Sequence, residues 1–600
     1  MKAGPGMEIP RGKHPFRCKR FERMPAFCLL VKKPDTLSRE TMRTFIPLLF
    51  LAFILPFPAS AGQSAIFVLI RGESAQSVLQ RKLAILDSSG KITLSGDTVV
   101  KSKDLLSFYK GREGKTAWLS RGAPVRGAWQ LLDAVRKCGM EGLEPFDYHV
   151  RSLDSLLRKY NRRIFWSRRA DPETSANLDL LLSDAYLKLS RHLLSGRVKP
   201  KIPQDIWHIS QERIDPPEYL DRTLREKHDL RASLQNLTPP QAEYGQMKYW
   251  LEEYRKIAAK GGWTEVPEGP GLGPQSVGPR VAALCARLRT SGELHGGCGE
   301  AFSPQLGEAV KRFQGTHGLD TTGIADAGTV KSLNVSVQDR IDQIELNLDC
   351  WRWLPQDLGE RHIRVNIVDY RLGAFEKGSE VFSMRVVVGR KEDSTPVFSD
   401  RVVSVQLNPS WNVPASIAGE ELLPELRKDP DYLAKHNMEL LGDWSESAQV
   451  IRADSVDWSE VPGENFRFRI RQKNGDASAL GRIKFVLTNP YNIYLHDTPA
   501  KKYFDNDKRA LSHGCVRLSD PMKLAVWVLG ESSVWNVERL TADIAKGDEV
   551  FIPAPGKGIP VHILYWTCFV DNLGGLQFRP DIYNWNRKME AALVRKSRSF

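Results

Sequence analysis

The sequence predicts a multidomain α+β protein: a helical domain, then a small three-helix module, then a β-rich domain carrying a capping insertion. Three observations lead there. At 600 residues the chain exceeds the size at which one hydrophobic core stops growing, so several domains are expected. Apolar residues recur at helical spacing in the first half and at alternate positions after about residue 340. A Gly/Pro-rich stretch from Gly261 to Pro279 separates the first helical part from the rest of the chain. With 41% hydrophobic and 26% charged residues the composition is that of a folded globular chain, which excludes wholesale disorder and fibrous repeats.

Residues 1–61 read as a leader. Met42-Arg43-Thr44 precedes an apolar run from Phe45 to Phe57, and Ala59-Ser60-Ala61 is a small-x-small cleavage site before Gly62. The expectation is a secretory signal peptide, with Met42 rather than Met1 as initiator and with membrane contact only during passage. The formal charge is +14, but residues 1–61 hold 11 Lys+Arg against 4 Asp+Glu, so +7 of it sits in the leader. The remaining mild excess suits an anionic polymer of any kind, and export without a recognised DNA or RNA module speaks against nucleic acid.

From about 75 to 260 the pattern is helical. Trp129, Leu132 and Val135 form a run that stops at Gly139; Thr174 or Ser175 is expected to cap a helix carrying Leu178, Leu181, Leu182, Ala185 and Leu189, which stops at Gly196. No catalytic set assembles in this half, so it reads as a scaffold domain. Between 278 and 336 a helix from Val281 to Leu288 leads to a second apolar run, Leu306, Ala309, Val310 and Phe313, and then to Gln314, Gly318-Leu319, Gly323, Thr329, Leu333 and Asn334. That order resembles the small three-helix peptidoglycan-binding module. Of the six cysteines beyond the leader, only Cys285 and Cys298 are spaced so that a bridge can be read. Closing that loop would contribute about 3 kcal/mol in the chain-entropy account.

The stretch 340–555 reads as the β-rich domain. Ile363, Val365, Ile367 and Val368 mark one strand; Phe382, Met384, Val386 and Val388 another; Val402 to Leu407 and Phe466 to Ile470 two more. A helical and polar segment at about 415–462 interrupts them as an insertion suited to cap a cleft, and 556–600 is expected to be a C-terminal tail.

Chemistry concentrates between Tyr491 and Asp520. A strand ends at His496, and Ser512-His513-Gly514-Cys515-Val516-Arg517 comes after it, before Ser519-Asp520-Pro521 starts a helix. A thiol becomes a strong nucleophile as thiolate, and a histidine within reach is the simplest way to generate one. The amides of Gly514 and Cys515 are candidates for an oxyanion hole. His496, His513 and Cys515 would need a further ligand to bind zinc, and neither metal nor cofactor is expected.

This spacing of His496 ahead of Ser-His-Gly-Cys-Val-Arg resembles the signature of the L,D-transpeptidase catalytic domain, and the order of domains resembles the large periplasmic enzymes of that family in Gram-negative bacteria. The resemblance implies Cys515 as nucleophile and His496 as general acid/base, with His513 supporting the thiolate. Ser512 would orient a histidine, and Arg517 would hold the turn or a substrate carboxylate. It further implies a periplasmic location, peptidoglycan stem peptides as substrates (a tetrapeptide donor and a diaminopimelate acceptor), 3→3 cross-links as product, and carbapenem β-lactams as inhibitors. Two other readings stand beside it: a carboxypeptidase or cross-link hydrolase using the same acyl-enzyme, and a non-catalytic wall-binding scaffold.

Overall fold

The computed structural model describes residues 73–165, 171–197, 207–208, 214–429, 431–445, 447–464, 466–530 and 534–598. The leader and its cleavage site lie outside the described residues.

The helical domain is built around one long helix, Pro172–Ser195, whose Leu178, Leu181, Leu182, Ala185 and Leu189 are all buried. Its cap is not Thr174 or Ser175 but Asp171, whose carboxylate accepts the Thr174 N–H at 2.7 Å. Pro172 takes the first helical position, where its missing N–H costs nothing, and that moves the start upstream. In the three-helix module, Pro279–Thr290, Pro304–Thr316 and Ala327–Leu333 pack around Phe313 and Leu284. The ordered Gln, Gly and Thr of the sequence have a common cause. Buried Gln314 donates to Ile324 O at 2.9 Å and Thr329 Oγ1 at 3.1 Å and accepts from Gly323 N–H at 2.9 Å, so one amide ties the turn to two helices. Cys285 and Cys298 are disulfide-bonded, with Cα atoms 5.6 Å apart.

A helix from Val337 to Trp351 leads into the β-rich domain, and at its C-terminal end stands a fully buried ion pair, Arg352–Asp349 at 2.9 Å. Arg352 also donates to Tyr244 Oη at 3.1 Å and to the Glu141 carbonyl, and so clamps the helical domain to the β domain. Arg352→Met removes these donors and takes from Asp349 the nearer of its two cationic partners, the Arg197 guanidinium remaining at 3.7 Å and the Arg197 N–H at 2.9 Å. We expect a loss of about 2 kcal/mol in chemical denaturation, because a buried carboxylate left with the more distant of its two cations keeps most of its desolvation penalty.

Among the described residues the main sheet of the β domain has ten strands of its own, β1 (Arg361–Asn366), β2 (Arg371–Glu376), β3 (Ser379–Gly389), β4 (Val397–Leu407), β5 (Ile483–Leu487), β6 (Leu495–His496), β7 (Ala510–Ser512), β8 (Val516–Leu518), β9 (Val550–Pro553) and β10 (Ile559–Leu564), and Trp207–His208 adds an eleventh, parallel to Val397–Phe398. Neighbours run β5-β6-β8-β3-β2-β1-β10-β4-β9, and β5 also pairs with β4, so the path closes on itself. Closure leaves no open edge along that ring. Two expectations need correction. The segment beyond 556 is no tail: β10 lies inside the sheet, parallel to β1 and antiparallel to β4. Its alternation was legible, but a strand pairing with residues about 200 positions away leaves no local mark.

The insertion is also wider than 415–462. Trp411–Asn412 pairs with Arg471 and Gln472, and Arg469–Gln472 pairs with Met438–Leu441, giving a separate small sheet. Phe466, Phe468 and Ile470 therefore serve the insertion's own core, with Leu423, Leu426 and Trp458, instead of the main sheet.

Charge burial gives the fold a defined pH range. Burial pushes His562 down to about 4 and His317 well below its ordinary value. Below pH 6.5 the unfolded chain then binds more protons, so stability is lost as pH falls from about 6.5 to about 4, on the order of 3 kcal/mol for His562 alone. His149 behaves oppositely. Burial pulls it down, but hydrogen bonds to Asp184 and Asp97 outweigh this and raise it to about 9, so its contribution is complete below about pH 6.5 and is lost as pH rises through 9. Melting temperature against pH is expected to peak near 6.5; a curve rising steadily toward pH 9 would overturn the assignment.

Candidate active site

The site is assembled by strand register. β6 lies between β5 and β8, antiparallel to the first and parallel to the second. Lys484 is thereby opposite His496, and His496 is opposite Arg517. Side chains directly across a sheet share a face, so the imidazole stands between two cations. Leu495 is opposite Val516, which sets Tyr494 beside Cys515 one position earlier.

His496 is buried and its Nδ1–H donates to the Asp497 carbonyl at 2.5 Å, which leaves Nε2 as the acceptor. Burial, and after it the Arg517 charge, push the imidazole down to about 3, with Lys484 acting in the same direction. It is neutral at physiological pH. The half-buried Cys515 thiol donates to the Asn492 carbonyl at 3.6 Å. Burial raises it, while the Tyr494 amide and hydroxyl and the charges of Lys484 and Arg517 pull the other way. At rest the site therefore holds a protonated thiol, hydrogen-bonded to Asn492, and a neutral imidazole.

The turn that carries Cys515 is braced on all sides. Gly514 has φ +109°, a conformation that disfavours any side chain, and a Cβ there would come within 3.2 Å of Ile493 Cδ1. Its carbonyl accepts from Thr395 Oγ1 at 2.7 Å, the same hydroxyl accepts the Gly389 N–H at 2.8 Å, and the Tyr583 hydroxyl donates to the Gly389 carbonyl. Gly389 is required by contact: a Cβ would lie 2.1 Å from Asp393 O and 3.0 Å from Gly514 Cα.

Three residues of the motif do other work than expected. Gly514 N–H donates to Ser512 Oγ at 3.2 Å, so it is engaged within the turn and does not serve an oxyanion hole; the Cys515 amide remains. Ser512 Oγ donates to the Cys515 carbonyl at 2.6 Å and orients the turn, not a histidine. His513 reaches Glu421 of the insertion, Nε2 to Oε1 at 2.5 Å, and Glu421 also meets Arg390 at 3.4 Å. That places His513 on a clasp between insertion and turn. Arg517 is half-buried with an unpartnered Nε and forms no ion pair with a described residue.

Tyr494, Lys484, Trp411 and Glu421 went unpredicted. The Tyr494 hydroxyl lies near both the Cys515 thiol and the Trp411 indole, and burial above all raises it. Tyr494 was findable, two residues before His496 and so on its face of the strand. Lys484 also left a signal, as a lone cation in the apolar strand Ile483–Leu487. A cavity of about 390 Å³ near Trp566 and Leu573 holds none of these residues, and its arginines are paired with carboxylates (Arg364 with Glu243, Arg371 with Glu380, Arg579 with Asp369).

Comparison with known proteins agrees with this layout. Residues 103–251 match a scaffold domain family, 277–333 a family described as "Putative peptidoglycan binding domain", and 360–562 the L,D-transpeptidase catalytic domain. A curated Haemophilus influenzae protein named "Putative L,D-transpeptidase" is 36% identical over 232 residues, 39% of this chain and 46% of that protein. The chain thus spans under half the length of that relative. Among solved structures, an L,D-transpeptidase from Xylanimonas cellulosilytica is 15% identical, covering 50% of this chain and 100% of its own, at a TM-score of 0.17. L,D-transpeptidase 3 of Mycobacterium tuberculosis, in complex with a faropenem-derived adduct, is 14% identical over 34% of this chain and 60% of its own, also at 0.17. Likeness at that level adds nothing to the family match.

Proposed function

We propose that this chain, which carries an L,D-transpeptidase catalytic domain beside a peptidoglycan-binding domain, is a cysteine-dependent L,D-transpeptidase that forms 3→3 cross-links in the periplasm. The observation that carries the reading is the register of β5, β6 and β8, which sets a neutral, correctly tautomerised His496 diagonally next to Cys515 on one face.

Cys515 Sγ attacks the carbonyl of the third residue of a tetrapeptide stem while its proton passes to His496 Nε2. The tetrahedral oxyanion is met by the Cys515 amide. On collapse, His496 returns the proton to the departing amine and D-Ala leaves, with a thioester remaining on Cys515. The side-chain amine of a second stem then attacks the thioester and gives its proton to His496. That proton returns to the sulfur as the new amide forms. Arg517, unpaired and beside His496, is the group for a substrate carboxylate. The insertion, clasped to His513 through Glu421, covers the cleft and favours amine over water.

The test is the purified chain with disaccharide-tetrapeptide, products read by mass spectrometry. A dimer lacking one D-Ala is expected; tripeptide without dimer would make the protein a carboxypeptidase, and unchanged substrate with retained wall binding would make it a scaffold. A carbapenem should leave a stable mass adduct on the Cys515 peptide of wild type and none on Cys515→Ser. An adduct retained in Cys515→Ser would remove Cys515 from the nucleophile's place.

A further inference from the structure

We propose that Lys484 is a positioning residue that stabilises the thiolate of Cys515, and that it fills the supporting place the motif had suggested for His513. The idea rests on the reading of Cys515 as nucleophile and deepens it.

Four observations carry it. First, His513 is committed elsewhere: its Nε2 is bonded to Glu421 of the insertion, in a clasp that also involves Arg390. Second, Lys484 is opposite His496 across β5 and β6, so its side chain shares the reactive face. Third, its Nζ lies 4.2 Å from the centre of the Tyr494 ring, and the hydroxyl of that ring faces the Cys515 thiol. A cation held on the face of an aromatic ring whose oxygen lies near the sulfur is fixed in place rather than swinging in solvent. Fourth, Lys484 forms no ion pair with a described residue. Burial lowers its own affinity for a proton, and the two anions that offset this are Cys515, when ionised, and Glu549. Glu549 is already engaged by Gln406 and, at 3.1 Å, by Ser410 Oγ. A half-buried lysine without a committed carboxylate is costly to keep, and negative charge on Cys515 recovers that cost.

The charged and titratable groups around the sulfur are therefore Lys484 from β5, Tyr494 and His496 from β6 and its approach, Arg517 from β8, and Glu549 at the start of β9 behind Lys484. Lys484 and Arg517 flank the imidazole from opposite strands. Both disfavour imidazolium and favour thiolate. The proton taken from Cys515 is thus held loosely by His496 and is readily handed to the leaving amine. Lys484 exchanges no proton in this sequence.

The test is the rate of Cys515 alkylation by iodoacetamide from pH 6 up to about pH 12 on the full chain, read on the Cys515 peptide by mass spectrometry. It needs no wall substrate. K484M is expected to move the midpoint up by about one pH unit, so that alkylation at pH 7 slows about tenfold. K484R should restore most of the rate, and H513N should leave the midpoint where it was. K484Q repeats the comparison if K484M does not fold. A K484M midpoint equal to wild type, or an H513N shift as large as that of K484M, overturns the proposal. A shifted midpoint in a protein that makes no dimer keeps Lys484 and discards the transpeptidase reading; dimer formation with an unshifted midpoint does the reverse.

Discussion

Cys515→Ala will reduce dimer and tripeptide formation to the level of a blank, a loss of at least about 10⁴-fold, or more than about 5 kcal/mol of transition-state stabilisation. No neighbour replaces the sulfur. Ser512, the nearest hydroxyl in the motif, spends its proton on the Cys515 carbonyl and its lone pair on Gly514 N–H. Cys515→Ser should be nearly as inactive, because a neutral imidazole that titrates near 3 is too weak a base to ionise an alcohol. Binding to intact wall material should survive in both variants, since the 277–333 module is untouched. Residual cross-linking in Cys515→Ala would assign the reaction to another group.

His496→Gln is the second large effect, a fall of about 10²- to 10⁴-fold in turnover. The amide side chain can still donate to the Asp497 carbonyl, so the strand end stays in place, but nothing accepts the thiol proton. The wild-type pH profile is part of the same expectation. With His496 neutral down to about pH 3, activity should not drop between pH 7 and 5 through this group, and the acid limb should lie below. A limb centred near 6.5 would mean that the imidazole is solvated in the working enzyme. In His496→Gln that limb should vanish while alkylation of Cys515 continues at high pH.

Much of the site was legible because it is local. His496, Ser512, Gly514 and Cys515 stand close together in the chain, and a signature of that length survives in the one-dimensional order. What the order hides is which neighbour each polar atom chooses. His513 looked like a partner of the thiol from two positions away in the chain, yet its bond is to Glu421, 92 residues earlier. Gly514 N–H looked free and is held by Ser512. The same division holds for the fold. The helix Pro172–Ser195 was readable from spacing and the Gln314-centred module from its resemblance to a known module, whereas the role of Ile559–Leu564 was not, because its partners Ile363 and Phe398 lie far back in the sequence. Phe466–Ile470 was recognised as strand-like and credited to the wrong sheet, since alternation reports a buried face without saying which core buries it.

The placement of β10 and Tyr583 has a consequence for how the protein is made. In the export proposed above, the chain leaves the secretion channel N-terminus first, and domains condense in that order. Cys515 emerges well before Ile559–Leu564 closes the ring between β1 and β4, and before the Tyr583 hydroxyl can fasten Gly389 against the turn. The helical domain and the wall-binding module can be complete while the thiol is still an ordinary, loosely held cysteine. On the proposed reading, a C-terminally clipped chain that lacks these contacts is expected to carry Cys515 on a loosened turn.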